Sequence, residues 1–357
     1  MKIAQIAPLW ERVPPPTYGG IELVVSLLSD ELVRRGHEVT LFASGDSQTL
    51  ANLTAVSSSA LRLDSEIEER AMYEMLPASQ AYRRAQEFDV IHSHVGVWAL
   101  PLDELVSTPT VHTLHGRFTR DSSEVFSQHA NQSYISISDA QRLVNLNYLS
   151  TVYNGIDIGQ YPFFAKPAEK PYLAFLGRFS PEKGPQKAIA IAKQAGWNLK
   201  MAGKVDRVDT EFFDREIAPL IDGEQIEFLG EVNHAEKVEL LGNAAITLFP
   251  ITWQEPFGLV MIESMAAGTP VIGYSMGSVP EVIIHGKTGF ICQSYDEMAQ
   301  MIPGALKLNR EDCRKHVENN FTVTQMVDGY EAAYKQVVHN RMKNGRLDLS
   351  KIFSLSR

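Results

Sequence analysis

Pro250–Gly268 reads P-I-T-W-Q-E-P-F-G-L-V-M-I-E-S-M-A-A-G, and the rest of the chain is read outward from it. Ala245–Pro250 leads in as an apolar run bounded by a loop, the pattern of a buried strand. Glu255 ends the loop. Pro256 takes the first helical position, where its missing N–H costs nothing. Phe257, Leu259, Val260, Met261, Ile262, Met265 and Ala266 continue a mostly buried helix. Gly268 ends that helix, and Thr269-Pro270 prevents its continuation.

The unpaired N–H groups at such a helix start, with the positive end of its dipole, suit an anion. Two carboxylates bracket the place. Glu255 stands at the tip, and Glu263 lies two turns further in, about 10 Å along the axis. That is close to the span of a sugar diphosphate plus a ribose. An ionised carboxylate only accepts hydrogen bonds, and its two oxygens can take two neighbouring hydroxyls. The stretch therefore reads as two polyol clamps with a phosphate seat between them.

Outward from here, strand signals alternate with amphipathic helix signals, which implies parallel sheets in α/β domains. In the first half, strands are expected at Lys2–Pro8, His37–Ala43, Asp89–His94, Thr110–His115 and Ser133–Ser138, with a last short one at Thr151–Tyr153. Helices are expected at Ile21–Arg35, at Glu66–Glu87 with a break near Pro77, and at Ala140–Leu146 after a Ser138-Asp139 cap. Ser44–Asp64 is ambiguous. The second half follows a proline-rich connector. Its expected strands are Tyr172–Leu176, Asn198–Ala202, Gln225–Leu229, Ala245–Pro250, Val271–Tyr274 and Phe290–Cys292. Helices fall at Pro185–Ala195, Thr210–Leu220, Ala235–Leu241 and from Tyr295 to Asn319. A final helix runs over Thr322–Val338, and the basic tail His339–Arg357 is expected to fray. Two such halves leave a cleft between them. Loops after the strands ending at Pro8, His94, His115, Leu176 and Pro250 should line it, because open α/β sheets bind ligands beyond the carboxyl ends of their strands.

The totals narrow the function. The 357 residues suffice for two ordinary domains, and a 44% hydrophobic, 21% charged composition is that of a globular protein. A net charge of −10 argues against nucleic-acid binding. Cys292 and Cys313 lack metal-site spacing and read as reduced thiols. No apolar run reaches 18 residues, the length of a membrane span. The opening M-K-I-A-Q-I-A-P-L-W reads as a buried strand rather than a leader. The expected location is cytoplasmic, or peripheral at the inner face of a membrane.

The first strand of the second half ends in G-R-F-S-P-E-K-G, with Gly177, Arg178 and Lys183. Glycine lets a diphosphate approach the backbone, and two cations can neutralise it. That matters most for a leaving group, whose charge grows in the transition state. A solvated loop with two surface cations is the competing reading.

Together with E-P-F-G-L-V-M-I-E-S-M-A-A-G-T-P-V, this segment resembles the signature of the family 4 retaining glycosyltransferases. The resemblance extends to Y-G-G-I-E within Pro14–Glu22, V-Y-N-G-I-D at Val152–Asp157, G-S-V-P-E-V-I at Gly277–Ile283 and G-K-T-G-F at Gly286–Phe290. It is weakest over Ser44–Arg84 and absent from the tail. It implies the GT-B fold, two Rossmann-like domains facing across a cleft. Those would be an acceptor-side domain over 1–153 and a nucleotide-sugar domain over 154–321, with 322–357 crossing back to the first. Carried over, the pattern implies that Arg178 and Lys183 hold the donor diphosphate beside Gly177, that Glu263 takes the ribose, and that Glu255 takes the transferred sugar. Phe257, Gly258 and Leu259 would offer backbone N–H groups. Gly19 and Gly20 would approach the phosphates from the other domain, and His115 would sit by the reacting face. Val232 would border the base. Ser264, where the family commonly has alanine, is a minor departure.

Each assignment has a plainer rival. Glu255 alone is what a helix dipole favours, and Glu263 alone could be a solvated helix residue. Gly19-Gly20 alone is a turn, and His115 could be a core histidine like His92, His94 or His112. His92-x-His94 has metal-like spacing, but alternate strand residues face opposite sides, so no metal site is expected. Arg34-Arg35 and Arg83-Arg84 read as solvated helix faces. Trp253 and Gln254 have no readable role. The resulting expectation is retaining, metal-independent transfer of a hexose from a nucleotide-diphosphate sugar, with UDP-glucose first and GDP-mannose second. The acceptor hydroxyl would belong to a sugar, a glycolipid or a small molecule, with no cofactor and at most peripheral membrane contact. The alternatives are a sugar-nucleotide epimerase or isomerase, or a binding protein that has lost transfer.

Overall fold

A computed structural model describes residues 1–17, 19–64 and 66–354, the side chains of Leu63, Met342 and 344–354 excepted. Tyr18 of the glycine loop and the last three residues of the tail lie outside the described residues.

Two parallel sheets carry the chain, in the two-domain Rossmann-like arrangement expected. The first contains β1 (Lys2–Ile6), β2 (Glu38–Ser44), β3 (Asn52–Ser57), β4 (Val90–Ser93), β5 (Thr110–Leu114), β6 (Tyr134–Ser136) and β7 (Tyr148–Thr151) in the order 3-2-1-4-5-6-7. The second contains β8 (Leu173–Leu176), β9 (Leu199–Ala202), β10 (Ile226–Phe228), β11 (Ile246–Phe249), β12 (Val271–Tyr274) and β13 (Gly289–Cys292) in the order 10-9-8-11-12-13. Central strands such as β4, β5 and β11 are buried at every residue, as continuous apolar runs with helices on both faces require.

Helix Gly20–Arg34 packs Val24, Leu28 and Leu32 on one face of the first sheet, beside Met326, Tyr330 and Tyr334 of the C-terminal helix. Helix Met75–Arg83 covers the other face through Ala78, Ala81 and Tyr82. In the second half, Pro185–Ala195 and Tyr295–Ala305 share one core layer, and Leu259–Ala266 packs with Arg310–Asn320 in another. Cys292 and Cys313 are buried free thiols in these layers.

Several expectations are corrected. Ala140–Leu146 is not helical. The segment makes one turn, with Arg142 N–H donating to the Asp139 carbonyl at 3.0 Å. The Gln141 side chain ties it to the first sheet, accepting from Ile137 N–H at 2.9 Å and donating to the Leu114 carbonyl at 2.9 Å. Glu281 of the second half accepts from the N–H groups of Asp139 at 2.8 Å and Ala140 at 2.7 Å. Pro77 does not break its helix. It sits in the first turn, where proline is tolerated, and the break comes at Glu74 between Arg70–Tyr73 and Met75–Arg83. The ambiguous Ser44–Asp64 supplies edge strand β3, whose half-exposed faces gave no apolar signal. The last strand of the first sheet ends at Thr151, where the expected one began. Thr210–Leu220 changes pitch from α to π to 3-10 instead of forming one regular helix.

The tail does not fray at Val338. Val323–Ser354 is one helix. Arg35 is no solvated residue either, since it reaches Glu31 at 3.0 Å and Asp328 of that helix at 2.7 Å. Among the described residues no helix is long and apolar enough to cross a membrane.

Candidate active site

In each sheet the strand order reverses direction at one point, and the loops there splay apart to leave a crevice. In the second sheet the reversal lies between β8 and β11. The loops concerned are the two that the sequence singled out, Gly177–Gly184 and Pro250–Gly258. They are tied together. Thr252 N–H donates to the Glu182 carbonyl at 2.9 Å, and Thr252 Oγ1 to the Pro181 carbonyl at 3.1 Å. Gly184, at φ 73°, packs so closely that a Cβ there would stand 2.2 Å from the Pro250 carbonyl oxygen. In the first sheet the reversal lies between β1 and β4, and the loop after β1 brings Gly19 and Gly20 to the same crevice.

The helix after Glu255 begins later than expected. Gly258 has φ 79°, a left-handed turn that a continuous helix cannot contain, so the helix is Leu259–Ala266. Pro256 and Phe257 belong to the loop, and Glu263 sits about one turn inside the helix rather than two. The helix tip faces another. Helix Gly20–Arg34 starts at Gly20, and a Cβ there would lie 3.5 Å from Leu259 Cδ1 across the cleft. Two helix N-termini, one from each half, thus converge on one place, and both dipoles favour an anion there.

The two carboxylates are held in the same manner. Glu255 Oε2 accepts from Lys183 Nζ at 2.5 Å and from Trp253 Nε1 at 2.7 Å. Glu263 Oε1 accepts from Tyr161 Oη at 2.8 Å and from Lys237. Both glutamates are buried yet border the cleft. Each is anchored through one oxygen, and among the described residues no donor addresses the other.

The Glu255 loop is braced from behind by the turn after β12. Ser278 N–H donates to the Glu255 carbonyl at 3.0 Å, Ser278 Oγ to the Phe257 carbonyl at 2.6 Å, and Gly277 N–H to Gln254 Oε1 at 2.9 Å. Gln254 and Trp253, which had no role readable from sequence, are therefore a brace and a clamp. Arg178 is ion-paired with Glu182, and Asp206 and Asp209 each lie 3.6 Å from it. Nearby, Lys204 is buried, 2.6 Å from Asp206. Glu22, in the first turn of the Gly20 helix, is 5% exposed, and burial pushes its carboxyl up to about 7.

Every residue proposed from the sequence lines this one cleft of about 480 Å³, within the size range of small-molecule sites. From the first half come Gly19, Gly20 and His115. From the second come Gly177, Arg178, Lys183, Val232, Glu255, Phe257, Gly258, Leu259 and Glu263. Trp10, Glu22, Lys204, Lys237 and Trp253 also line it. Tyr161 and Lys237 had no local signal, because they reach Glu263 from other elements. Ser278 stood in the G-S-V-P-E-V-I motif and could have been found there.

The histidines require a correction. His92 and His94 do converge, with ring centres 4.0 Å apart, because β4 ends at Ser93 and His94 turns off the strand. His94 Nδ1 lies 2.8 Å from His115 Nε2. Burial lowers the pKa of His92 and His94 well below the usual value and that of His115 to about 3. Among the described residues no cluster is arranged to hold a metal ion.

Residues 18–160 match the family described as Glycosyltransferase Family 4, and residues 161–322 the one described as Glycosyl transferases group 1. The glycogen synthase of Mycobacterium tuberculosis is 30% identical over 243 residues, 58% of this chain, and the match spans only 57% of that protein's length. The N-acetyl-alpha-D-glucosaminyl L-malate synthase of Bacillus anthracis is 27% identical over 93% of this chain and 97% of its own. Among solved structures, Anabaena HepE in complex with UDP-glucose superposes with a TM-score of 0.72 at 20% identity, covering 94% of this chain and all of the other. With two family matches running without a gap from residue 18 to residue 322 over a GT-B fold, the chain belongs to glycosyltransferase family 4.

Proposed function

We propose that this glycosyltransferase moves a hexose from a nucleotide-diphosphate sugar to an acceptor hydroxyl with retention of configuration, and that UDP-glucose is the first donor to try and GDP-mannose the second. One observation carries the reading. Two buried carboxylates, each anchored through a single oxygen, flank a helix tip that faces a second helix tip across the cleft. Glu263 then takes the ribose and Glu255 the transferred sugar, each through its remaining oxygen. Arg178, Lys183 and the N–H groups of Phe257, Gly258 and Leu259 hold the diphosphate, with Gly19 and Gly20 closing from the other side. Gly177 lets the diphosphate reach the backbone, Val232 borders the base, and His115 meets the sugar. Residues 1–153 form the acceptor-side domain and 154–321 the donor domain, with 322–357 returning to the first. The UDP-glucose named in the HepE structure supports the donor choice.

In the reaction the bond from the anomeric carbon to the diphosphate oxygen breaks, and the acceptor oxygen bonds to that carbon on the same face. The acceptor proton passes to the departing diphosphate. An oxocarbenium-like transition state places growing negative charge on the diphosphate, where the two cations and two helix tips stabilise it. These charges do the work a divalent ion would otherwise do. Closure of the halves limits hydrolysis by excluding water. The test is a thermal-shift panel of UDP, GDP, ADP and CDP, followed by transfer assays with and without acceptor and with EDTA. A ligand at 100 times its Kd adds about 2.7 kcal/mol, readily seen as a shift. No response to any nucleotide, an inverted product, conversion of the donor without acceptor, or loss of turnover on chelation each contradicts part of the proposal.

A further inference from the structure

Behind His115 runs a buried polar chain that the transfer step above leaves unused. Gln5, His92, His94, Thr113 and Tyr334 are all sealed from solvent. His115 Nε2 lies 2.8 Å from His94 Nδ1, and His94 Nε2 lies 3.0 Å from Gln5 Oε1. Gln5 Nε2 donates to the Tyr334 hydroxyl at 3.0 Å. That hydroxyl lies 2.6 Å from His92 Nδ1, and His92 Nε2 lies 2.7 Å from Thr113 Oγ1.

Every link needs one donor and one acceptor, so such a chain has only two self-consistent proton arrangements, one the reverse of the other. Burial keeps the three imidazoles neutral near pH 7, each with a single N–H. The Gln5 amide then sets the direction. Its oxygen faces His94 and can only accept, so His94 carries its proton on Nε2. His94 Nδ1 becomes an acceptor, and His115 must donate from Nε2. On the other branch, Tyr334 accepts from Gln5 and donates to His92 Nδ1. His92 donates from Nε2 to Thr113, whose hydroxyl continues to Tyr330 at 3.4 Å. All links close. His115 is half-buried and lines the cleft, and with Nε2 spent inward, Nδ1 is the nitrogen left for a ligand.

We propose that Gln5, His94 and Tyr334 are positioning residues that fix His115 as the Nε2-protonated tautomer, so that it offers the cleft an accepting nitrogen rather than an N–H. The ligand this suits is a hydroxyl of the transferred sugar, which donates to His115. That ligand rests on the transferase reading; the tautomer does not. The C-terminal helix thereby sets the hydrogen-bond polarity of the active centre, from Tyr334 through two side chains to His115.

The experiment is long-range proton–nitrogen NMR on the full chain labelled with 15N-histidine, with His115 assigned through His115→Gln. The wild type is expected to show neutral His115 with its proton on Nε2. Tyr334→Phe removes the acceptor that orients the Gln5 amide and is expected to shift the tautomer ratio about tenfold toward Nδ1–H, the worth of one net hydrogen bond. Gln5→Glu supplies an oxygen that still accepts from His94 and is expected to hold His115 as in the wild type. A wild-type His115 protonated on Nδ1 overturns the proposal, and this measurement decides even if a variant fails to fold. So does an unchanged ratio in both Tyr334→Phe and Gln5→Leu. Absence of turnover with every nucleotide sugar would instead sink the transferase reading and leave the tautomer result standing.

Discussion

Lys183→Met tests the charge argument most directly. The substitution keeps the apolar stem and removes only the charge. Lys183 Nζ sits 2.5 Å from Glu255 Oε2 and 4.9 Å from the centre of the Trp253 ring, with 18% of the side chain exposed. If its charge meets the departing diphosphate, losing it should cost what loss of a preorganised transition-state donor costs, about 3–4 kcal/mol or roughly a hundredfold to a thousandfold in turnover. If Lys183 only pairs with Glu255 at the edge of solvent, the expected cost is under about 1 kcal/mol, less than about sixfold. The readings differ by more than a factor of ten, well outside assay error. Stability moves separately. Breaking a mostly buried pair strands a carboxylate and costs up to about 3 kcal/mol, so rates belong well below the melting temperature of the variant, with folding checked by circular dichroism. The assay is initial rates at saturating donor and acceptor, beside nucleoside-diphosphate affinity. The drop should fall mainly on kcat, because the extra charge exists only in the transition state. A variant that stays within about threefold of wild-type kcat refutes the assignment.

Gly277→Ala should move the Glu255 loop, because a Cβ would stand 2.3 Å from the Glu255 carbonyl oxygen and 2.4 Å from its nitrogen at φ 55°; turnover should fall with the melting temperature, and wild-type values for both would contradict the bracing role of that turn. Glu281→Ala removes the acceptor of Asp139, Ala140 and Tyr153, and urea unfolding should show a loss of about 1–3 kcal/mol, with no change counting against a tie between the halves. Glu22 is protonated in the folded state up to about pH 7, against a usual carboxyl value of 4.5. The folded state thus binds more protons between those values, and stability falls as pH rises through that window, by about 3 kcal/mol in all. Glu22→Gln should therefore gain on the wild type in urea unfolding at pH 8 relative to pH 4.5, and an equal difference at both would refute it. His115 works in the opposite sense: its pKa is lowered to about 3, so it contributes stability above pH 6.5 that is lost as pH falls. His115→Gln should flatten the acid limb of the unfolding curve, and an unchanged limb would show that the imidazole is not held neutral.

Strands and amphipathic helices could be read from the sequence because their burial repeats over short distances. Pro185–Ala195 falls where a proline start and an apolar face put it, with Gly196 just past its end. What misled the reading was long-range side-chain contact. Nothing near Ala140 reveals that the Gln141 side chain will donate to the Leu114 and Gly116 carbonyls, 27 and 25 residues away, or that Glu281 will hold the N–H groups of Asp139 and Ala140. The late start of the helix after Glu255 is a different failure. Gly258 permits a left-handed turn but does not announce one, so Pro256 was read as a helix start when it belongs to the loop.

Which residues line the cleft was more legible than the elements holding them, and there is a physical reason. Residues that line the cleft from loops after β8 and β11 cluster in sequence, because each loop springs from one strand end. The groups that orient them come from wherever the packing brings a donor. Tyr161 reaches Glu263 from the connector, and Lys237 reaches it from the helix His234–Asn243. A single oxygen on each glutamate is fixed by these distant donors, and a carboxylate so held cannot rotate freely to suit a ligand. The ordering entropy is then met on folding rather than on binding. That is why the donors to Glu255 and Glu263 should matter to specificity as much as the carboxylates do. Tyr161→Phe leaves Glu263 its charge and its salt bridge while loosening the carboxylate. If Glu263 takes the ribose as proposed, the expected mark is a weaker grip on it, so a nucleotide with its 2′-hydroxyl and its 2′-deoxy analogue should bind more nearly alike in the variant than in the wild type. Equal discrimination in the two proteins would mean that Tyr161 only fills space.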